Sequence, residues 1–189
     1  MIARPFRACV YVAVGLMVLA VSGSAGAYER QHHVGLGAGI SPLAVNNDVT
    51  SLGLSGSLGY RYGLNDEFDF MAEGSFSLRF SPTVPEDGTA PPVRPTAIGS
   101  AGLGAIYIFD ILRWVPYAGV LLGASYLNGG GMLGPLIAPD AQIAAGMNYQ
   151  VTRNWAVGVG VRQHFLLLNL GDYPSYTTVN AVGEYTWGW

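Results

Sequence analysis

The sequence of 189 residues contains no lysine, one cysteine (Cys9), and only 11% charged residues. Each shortage excludes something. One thiol rules out an internal disulfide framework, and Cys9 lies ahead of most of the first apolar run, where a lipid-anchoring cysteine would not stand. With nine arginines against twelve acidic residues the formal charge is −3, so no basic footprint for nucleic acid exists. A soluble domain of this size normally has a surface that is roughly 25–35% charged, so much of this surface is expected to lie outside water. Past the N-terminal segment there is also no apolar run near the ~20 residues that a membrane-crossing helix requires.

What is present begins with Arg4 and Arg7, an apolar stretch from Ala8 to Val21, and the small residues Ala25-Gly26-Ala27. This is the order of a secretory signal peptide, with cleavage expected after Ala27. A single transmembrane anchor is the alternative, but the run is short and ends in a cleavage pattern. Residues 1–27 are therefore read as signal peptide and 28–189 as one exported domain of charge −5.

The apolar residues of that domain are spread through segments rich in Gly and Ser, and they alternate. In lipid only helices and closed barrels satisfy every backbone N–H and C=O internally. With helices excluded, period-two alternation reads as the strands of a barrel. Val34, Leu36, Ala38 and Ile40 alternate with His33, Gly35, Gly37 and Gly39. Leu52, Leu54, Leu58, Tyr60 and Tyr62 alternate with Ser, Gly and Arg61. Phe68, Phe70, Ala72, Phe76 and Leu78 oppose Asp69, Glu73, Ser75, Ser77 and Arg79. Segments near 96–109 and 115–127 are extended, but their facing is not legible. A sixth strand is expected over 141–151, a seventh over 155–165, and a last one ending in Tyr185, Trp187 and Trp189. The fold class is thus all-β, an eight-stranded antiparallel transmembrane barrel. Connections alternate between short turns (64–66, 110–114, 152–154) and longer Gly- and Pro-rich loops (43–50, 81–95, 128–140, 169–176), the pattern of short periplasmic turns and long outer loops.

Alternation alone does not say which face meets lipid, since a soluble barrel alternates too. Face content does. One face is bulky and apolar, while Arg61, Arg79 and Arg162 all fall on the Gly/Ser face. An arginine on the lipid face costs ~2–4 kcal/mol at the bilayer midplane, so the small-residue face is the interior. Tyr60, Tyr62, Tyr107, Trp155, Tyr185, Trp187 and Trp189 stand near strand ends, where an aromatic girdle sits at headgroup level.

The stretches Y-I-F-D-I-L-R-W-V-P-Y-A-G-V and Y-Q-V-T-R-N-W-A-V-G-V-G-V-R, with the final V-G-E-Y-T-W-G-W, resemble the OmpA/OmpX-like family of small outer-membrane barrels over essentially the whole exported chain. The resemblance implies an outer-membrane location, lipid contact, and a terminal strand read by the outer-membrane assembly machinery through Tyr185, Trp187 and Trp189. The peptidoglycan-binding domain of some members has no counterpart here. A monomer is expected, with no cofactor and no metal.

An eight-stranded interior is nearly filled by side chains, and charges within it must pair. A three-residue turn at 64–66 would set Arg61 opposite Asp69. A loop from Asn169 to Thr177 would set Arg162 opposite Glu184, with Glu73 and Arg79 extending the network. Such an interior serves a rigid structural barrel or lines a narrow solute pore, and both readings stay open. Recognition through the Ser81–Pro95 loop is an alternative. A lipid-modifying hydrolase built on His164 is a minor one, since no serine pattern accompanies it. His32 and His33 have no further ligand near them in sequence, and metal binding requires more.

Overall fold

The computed structural model describes residues 29–45, 49–79, 95–109, 113–129, 132, 134–167 and 175–188. The segment read as signal peptide, most of the Ser81–Pro95 loop, and Trp189 lie outside the described residues. Ten strands follow in order: β1 (His32–Ile40), β2 (Leu43–Val45), β3 (Val49–Ser51), β4 (Gly53–Gly63), β5 (Phe68–Arg79), β6 (Ala97–Ile108), β7 (Trp114–Asn128), β8 (Leu136–Gln150), β9 (Trp155–Leu166) and β10 (Ser175–Trp187). Eight of them are long and pair with their sequence neighbours, all antiparallel, and β1 pairs with both β4 and β10. That last pairing closes the sheet, which removes every long edge and leaves the backbone satisfied in lipid. The short β2 and β3 form a hairpin in the segment expected to be only a loop.

The ends of β4, β6 and β8 and the starts of β5, β7 and β9 lie at one end of the barrel with Gln31 and Gly188, and the ends of β5, β7 and β9 lie at the other. The turn after β4 is held by Asn65, whose side-chain oxygen accepts from the backbone N–H groups of Glu67 and Phe68. That is the Asx geometry for which such residues are favoured in turns.

β8 starts five residues before the expected Ala141. Pro139 and Asp140 look like turn chemistry, yet both sit within the strand. The proline is tolerated because its carbonyl, and with it the side that lacks an N–H, faces Leu167, where β9 has already given way to its loop. A proline fits a sheet only where no ladder donor is needed. β10 likewise begins at Ser175, and its Tyr176 and Thr178 point inward and are buried.

The two faces are inverted relative to a protein in water. Leu36, Leu58, Leu103, Leu122, Ile137, Ile143, Val157 and Val159 are exposed, Leu122 by 69%, while Arg61, Asp69, Arg79, Asp140, Arg162 and Glu184 are all buried. β6 and β7 resisted the sequence reading because they are apolar on both sides. Ile98, Ile106, Ile108, Val115, Leu121 and Leu127 turn inward and are buried, while Leu103, Val120 and Leu122 turn outward. The lumen consequently holds two apolar clusters besides its polar residues, which the alternation of small and ionic residues elsewhere did not announce.

Candidate functional site

The lumen is layered from the turn end to the loop end. Nearest the turns, Arg61 on β4 reaches across β1 to Glu184 on β10 and, on its other side, to Asp69 of β5, with Nη1 3.4 Å from Oδ2. Two features of β1 make that reach possible. Its inward residues here are His33 and Gly35, and Gly35 stands level with both Glu184 and Gly59, so no side chain blocks the guanidinium. His33 itself joins the cluster, with Nδ1 3.0 Å from Glu184 Oε1 and 3.0 Å from the Thr186 hydroxyl. Glu184 also accepts a 3.4 Å bond from the Asn148 amide.

One layer further in, Arg162 on β9 donates to Glu73 on β5 at 2.8 Å across the lumen. Tyr117 on β7 separates the two arginines. Each guanidinium carbon lies 5.5 Å from its ring centroid, which is within cation–π range. The ring has room because its neighbours are glycines: a Cβ on Gly146 would run into the Tyr117 ring, and one on Gly160 would stand 2.9 Å from its hydroxyl. Met71, Ile106, Ile108, Val115, Leu121 and Ala144 pack beside Tyr117. Guanidinium, phenol and carboxylates are thereby held among buried groups, where paired charges interact strongly and unpaired ones are costly.

Toward the loop end lies a second polar layer. Asp140 Oδ2 accepts from Ser125 Oγ at 2.9 Å and from Gln142 Nε2 at 3.0 Å, and lies 2.8 Å from His164 Nδ1. The His164 ring is stacked on Tyr176 at 4.1 Å. Arg79 Nη1 donates to the Ser41 carbonyl at 2.9 Å. Above this layer Leu43, Ile98, Leu127, Ala138, Leu166 and Tyr176 form a buried apolar cluster. Two cavities of about 20 and 30 Å³ share His33, Arg61, Asn148 and Glu184 as lining, enough for a water or two each.

The structure brings Arg61 and Asp69 together, but not in direct register. The turn is displaced by one position, with the Leu64 N–H bonded to the Phe68 carbonyl, so the register shifts by two: Asp69 stands opposite Gly63, and Arg61 stands opposite Met71. Contact is made along the diagonal of the sheet. Arg162 does not meet Glu184. The last hairpin is shorter than the expected loop, so Arg162 pairs with Thr178 and Glu184 with Ala156, which leaves Glu184 to Arg61 and Arg162 to Glu73. Arg79 belongs to the loop-end layer and is not an extension of the turn-end network. His32 and His33 part to opposite faces: His32 points outward, bonds the Tyr60 hydroxyl at 2.8 Å and stacks on Trp187. Tyr117 and Asp140 were missed as members of the lumen, and His33, which alternation places on the inward face, was not read as a partner of Glu184. For Asp140 the only available signal was the period-two frame shared with Gln142. For Tyr117 there was none, because β7 is apolar on both faces.

On the outside, rings gather at the turn end. Tyr60 and Tyr62 flank His32, Phe68 meets Tyr107, Trp114 meets Tyr149, and Trp155 meets Tyr185, which continues to Trp187. A closed antiparallel barrel of eight strands, with an apolar belt outside and ion pairs within, is a transmembrane β-barrel.

The sequence matches no protein-family model and no curated protein. Solved structures do share the fold. Neisserial surface protein A aligns with a TM-score of 0.62 at 19% identity, covering 82% of this chain and 96% of that one. The attachment invasion locus protein Ail of Yersinia pestis gives 0.53 at 16%, covering 84% and 99%. The outer membrane protein OprG of Pseudomonas aeruginosa gives 0.53 at 10%, covering 87% and 99%. At such identities the likeness establishes the small outer-membrane barrel fold.

Proposed function

We propose that the protein is an integral barrel of the bacterial outer membrane, structural in role, closed at rest, and able to pass only small solutes when its interior rearranges. The observation that carries this reading is the inverted burial: a continuous exposed apolar belt surrounds buried arginines and carboxylates whose partners lie across the lumen. The two small cavities support closure. Conductance of the purified protein in planar bilayers tests it. The expected record is silent for most of its length, interrupted by brief steps far below those of a large porin. Persistent conductance of porin size would refute closure.

A non-enzymatic role is favoured by the environment of His164. Its Nδ1 is engaged by Asp140, and Ser125 bonds Asp140 and Tyr176 rather than the imidazole. A nucleophilic triad needs the serine on the ring's other nitrogen.

The aromatic residues at the turn end are read as the girdle at the periplasmic interface, where amphipathic rings are favoured. The seam strand β10 presents Tyr185 and Trp187 outward, and with Trp189 these residues are read as the signal for the assembly machinery. Truncation after Thr186 is expected to lower the amount of heat-modifiable barrel in outer-membrane fractions several-fold. Unchanged yield and folding rate in cells would remove that role.

A further inference from the structure

Among the described residues, the apolar cluster at the loop end of the barrel has at its centre a residue that does not belong to the eight long strands. β1 ends at Ile40, the chain turns inward, and Leu43 is wholly buried among Ile98, Leu127, Ala138, Leu166 and Tyr176. Those five come from β6 to β10, and Leu43 packs among them from the inside. We propose that the Ser41–Val45 strap is a displaceable stopper, and that withdrawal of Leu43 admits water and small ions to the lumen. This rests on the reading of a barrel closed at rest.

Three observations favour displacement. The first is how little holds the strap. Among the described residues β2 pairs with the long strands at two positions, Tyr176 with Leu43 and Ser175 with Ala44, and otherwise with its hairpin partner, the three-residue β3, while β9 pairs with β10 from Ser175 through Tyr185. Backbone bonds tie Ser41 to Gly53 and Pro42 to Thr177, and Arg79 donates to Ser41, so the strap is anchored at Ser41, and beyond it Leu43 is held by its packing and by its ladder positions beside Tyr176 and Ser51.

The second lies directly beneath. Asp140 Oδ1 and His164 Nε2 are buried without a partner, as are His33 Nε2, Asp69 Oδ1 and Asn148 Oδ1 deeper in the lumen. Unmade bonds of this kind disfavour the closed state, and water entering behind a departing Leu43 would make them.

The third concerns which layer is the barrier. An apolar constriction excludes water and ions by dewetting. The ionic layer nearer the turns is polar and borders cavities that hold water-sized volumes, so it is wettable where the Leu43 layer is not.

The test uses the purified barrel in planar bilayers, each variant first checked for heat-modifiable mobility so that only folded protein is recorded. Leu43→Ser should raise the open fraction at least tenfold over the unaltered protein. The pair Ala44→Cys with Ser175→Cys keeps Leu43 and joins directly opposed residues, whose Cα separation of about 4.5–5.5 Å suits a disulfide. Oxidised, it should abolish the brief steps, and a reductant should restore them. If steps occur in the unaltered protein but neither variant changes them, the strap is not the gate while the closed-barrel reading stands. If neither these variants nor Arg162→Ala conducts at all, solute passage itself is refuted and the stopper with it.

Discussion

Replacing Arg61 with leucine is expected to destabilise the folded barrel by about 3–5 kcal/mol, the usual loss when one partner of a buried ion pair is removed. Arg61 is the shared cation of two carboxylates. Without it Asp69 and Glu184, 1% and 6% exposed, would be left facing each other through His33 in a lumen that offers little water. Two further variants separate charge from packing. Arg61→Lys should recover only part of the loss, because an ammonium is a single point and lacks the planar fork that reaches both acids. Combining Arg61→Leu with Glu184→Gln should cost less than the two single changes added together, since the second removes the charge that the first strands. The measurement is reversible urea unfolding in phospholipid vesicles, followed by tryptophan fluorescence. A loss below about 1 kcal/mol for Arg61→Leu, the range of an exposed pair, would show that the cluster is hydrated and not a structural keystone.

Leu122→Arg tests the outer face in the same assay. Leu122 lies on β7 beside Leu103 and Ala141, at the middle of the apolar belt, and an arginine there should cost about 2–4 kcal/mol. Asn128→Arg, at the loop end of the same strand, should cost only about 0–1 kcal/mol, because the penalty falls toward the interface. A depth-dependent pair of values is the mark of a bilayer. Were the barrel soluble, both arginines would be hydrated and both costs would be small, which would overturn the assignment of the faces.

The two variants probe features that differed in how far they could be read. The lipid face was legible on β4, β5, β8 and β9, because arginines and carboxylates cannot sit in hydrocarbon and so declare the inward frame through Arg61, Asp69, Glu73, Gln142 and Arg162. It was not legible on β6 and β7, where Leu103 and Ile106 are equally apolar and only one of them meets lipid. Pairing inside one hairpin was partly legible too. The short turn at Leu64 kept Arg61 close enough to Asp69 that an error of two residues in register did not separate them. The last hairpin failed for the opposite reason. Its loop contains Gly, Asp and Pro, and reading Tyr176 as loop displaced Glu184 by six positions from where the ladder holds it.

What the sequence by itself determined is therefore the class of object and the sign of each face: scarce charge, alternation, and arginine confined to the small-residue side admit one arrangement in a bilayer, since backbone and ions must both be satisfied there. Tertiary structure decided the partners. Arg162 meets Glu73 across 89 residues of chain, Arg61 meets Glu184 across 123, and Tyr117 is wedged between the two cations, because closure of the sheet sets which strands face one another. Strand tilt and shear fix that choice, and they are properties of the closed barrel rather than of any segment. The ionic interior and the Leu43 cluster follow from the same closure.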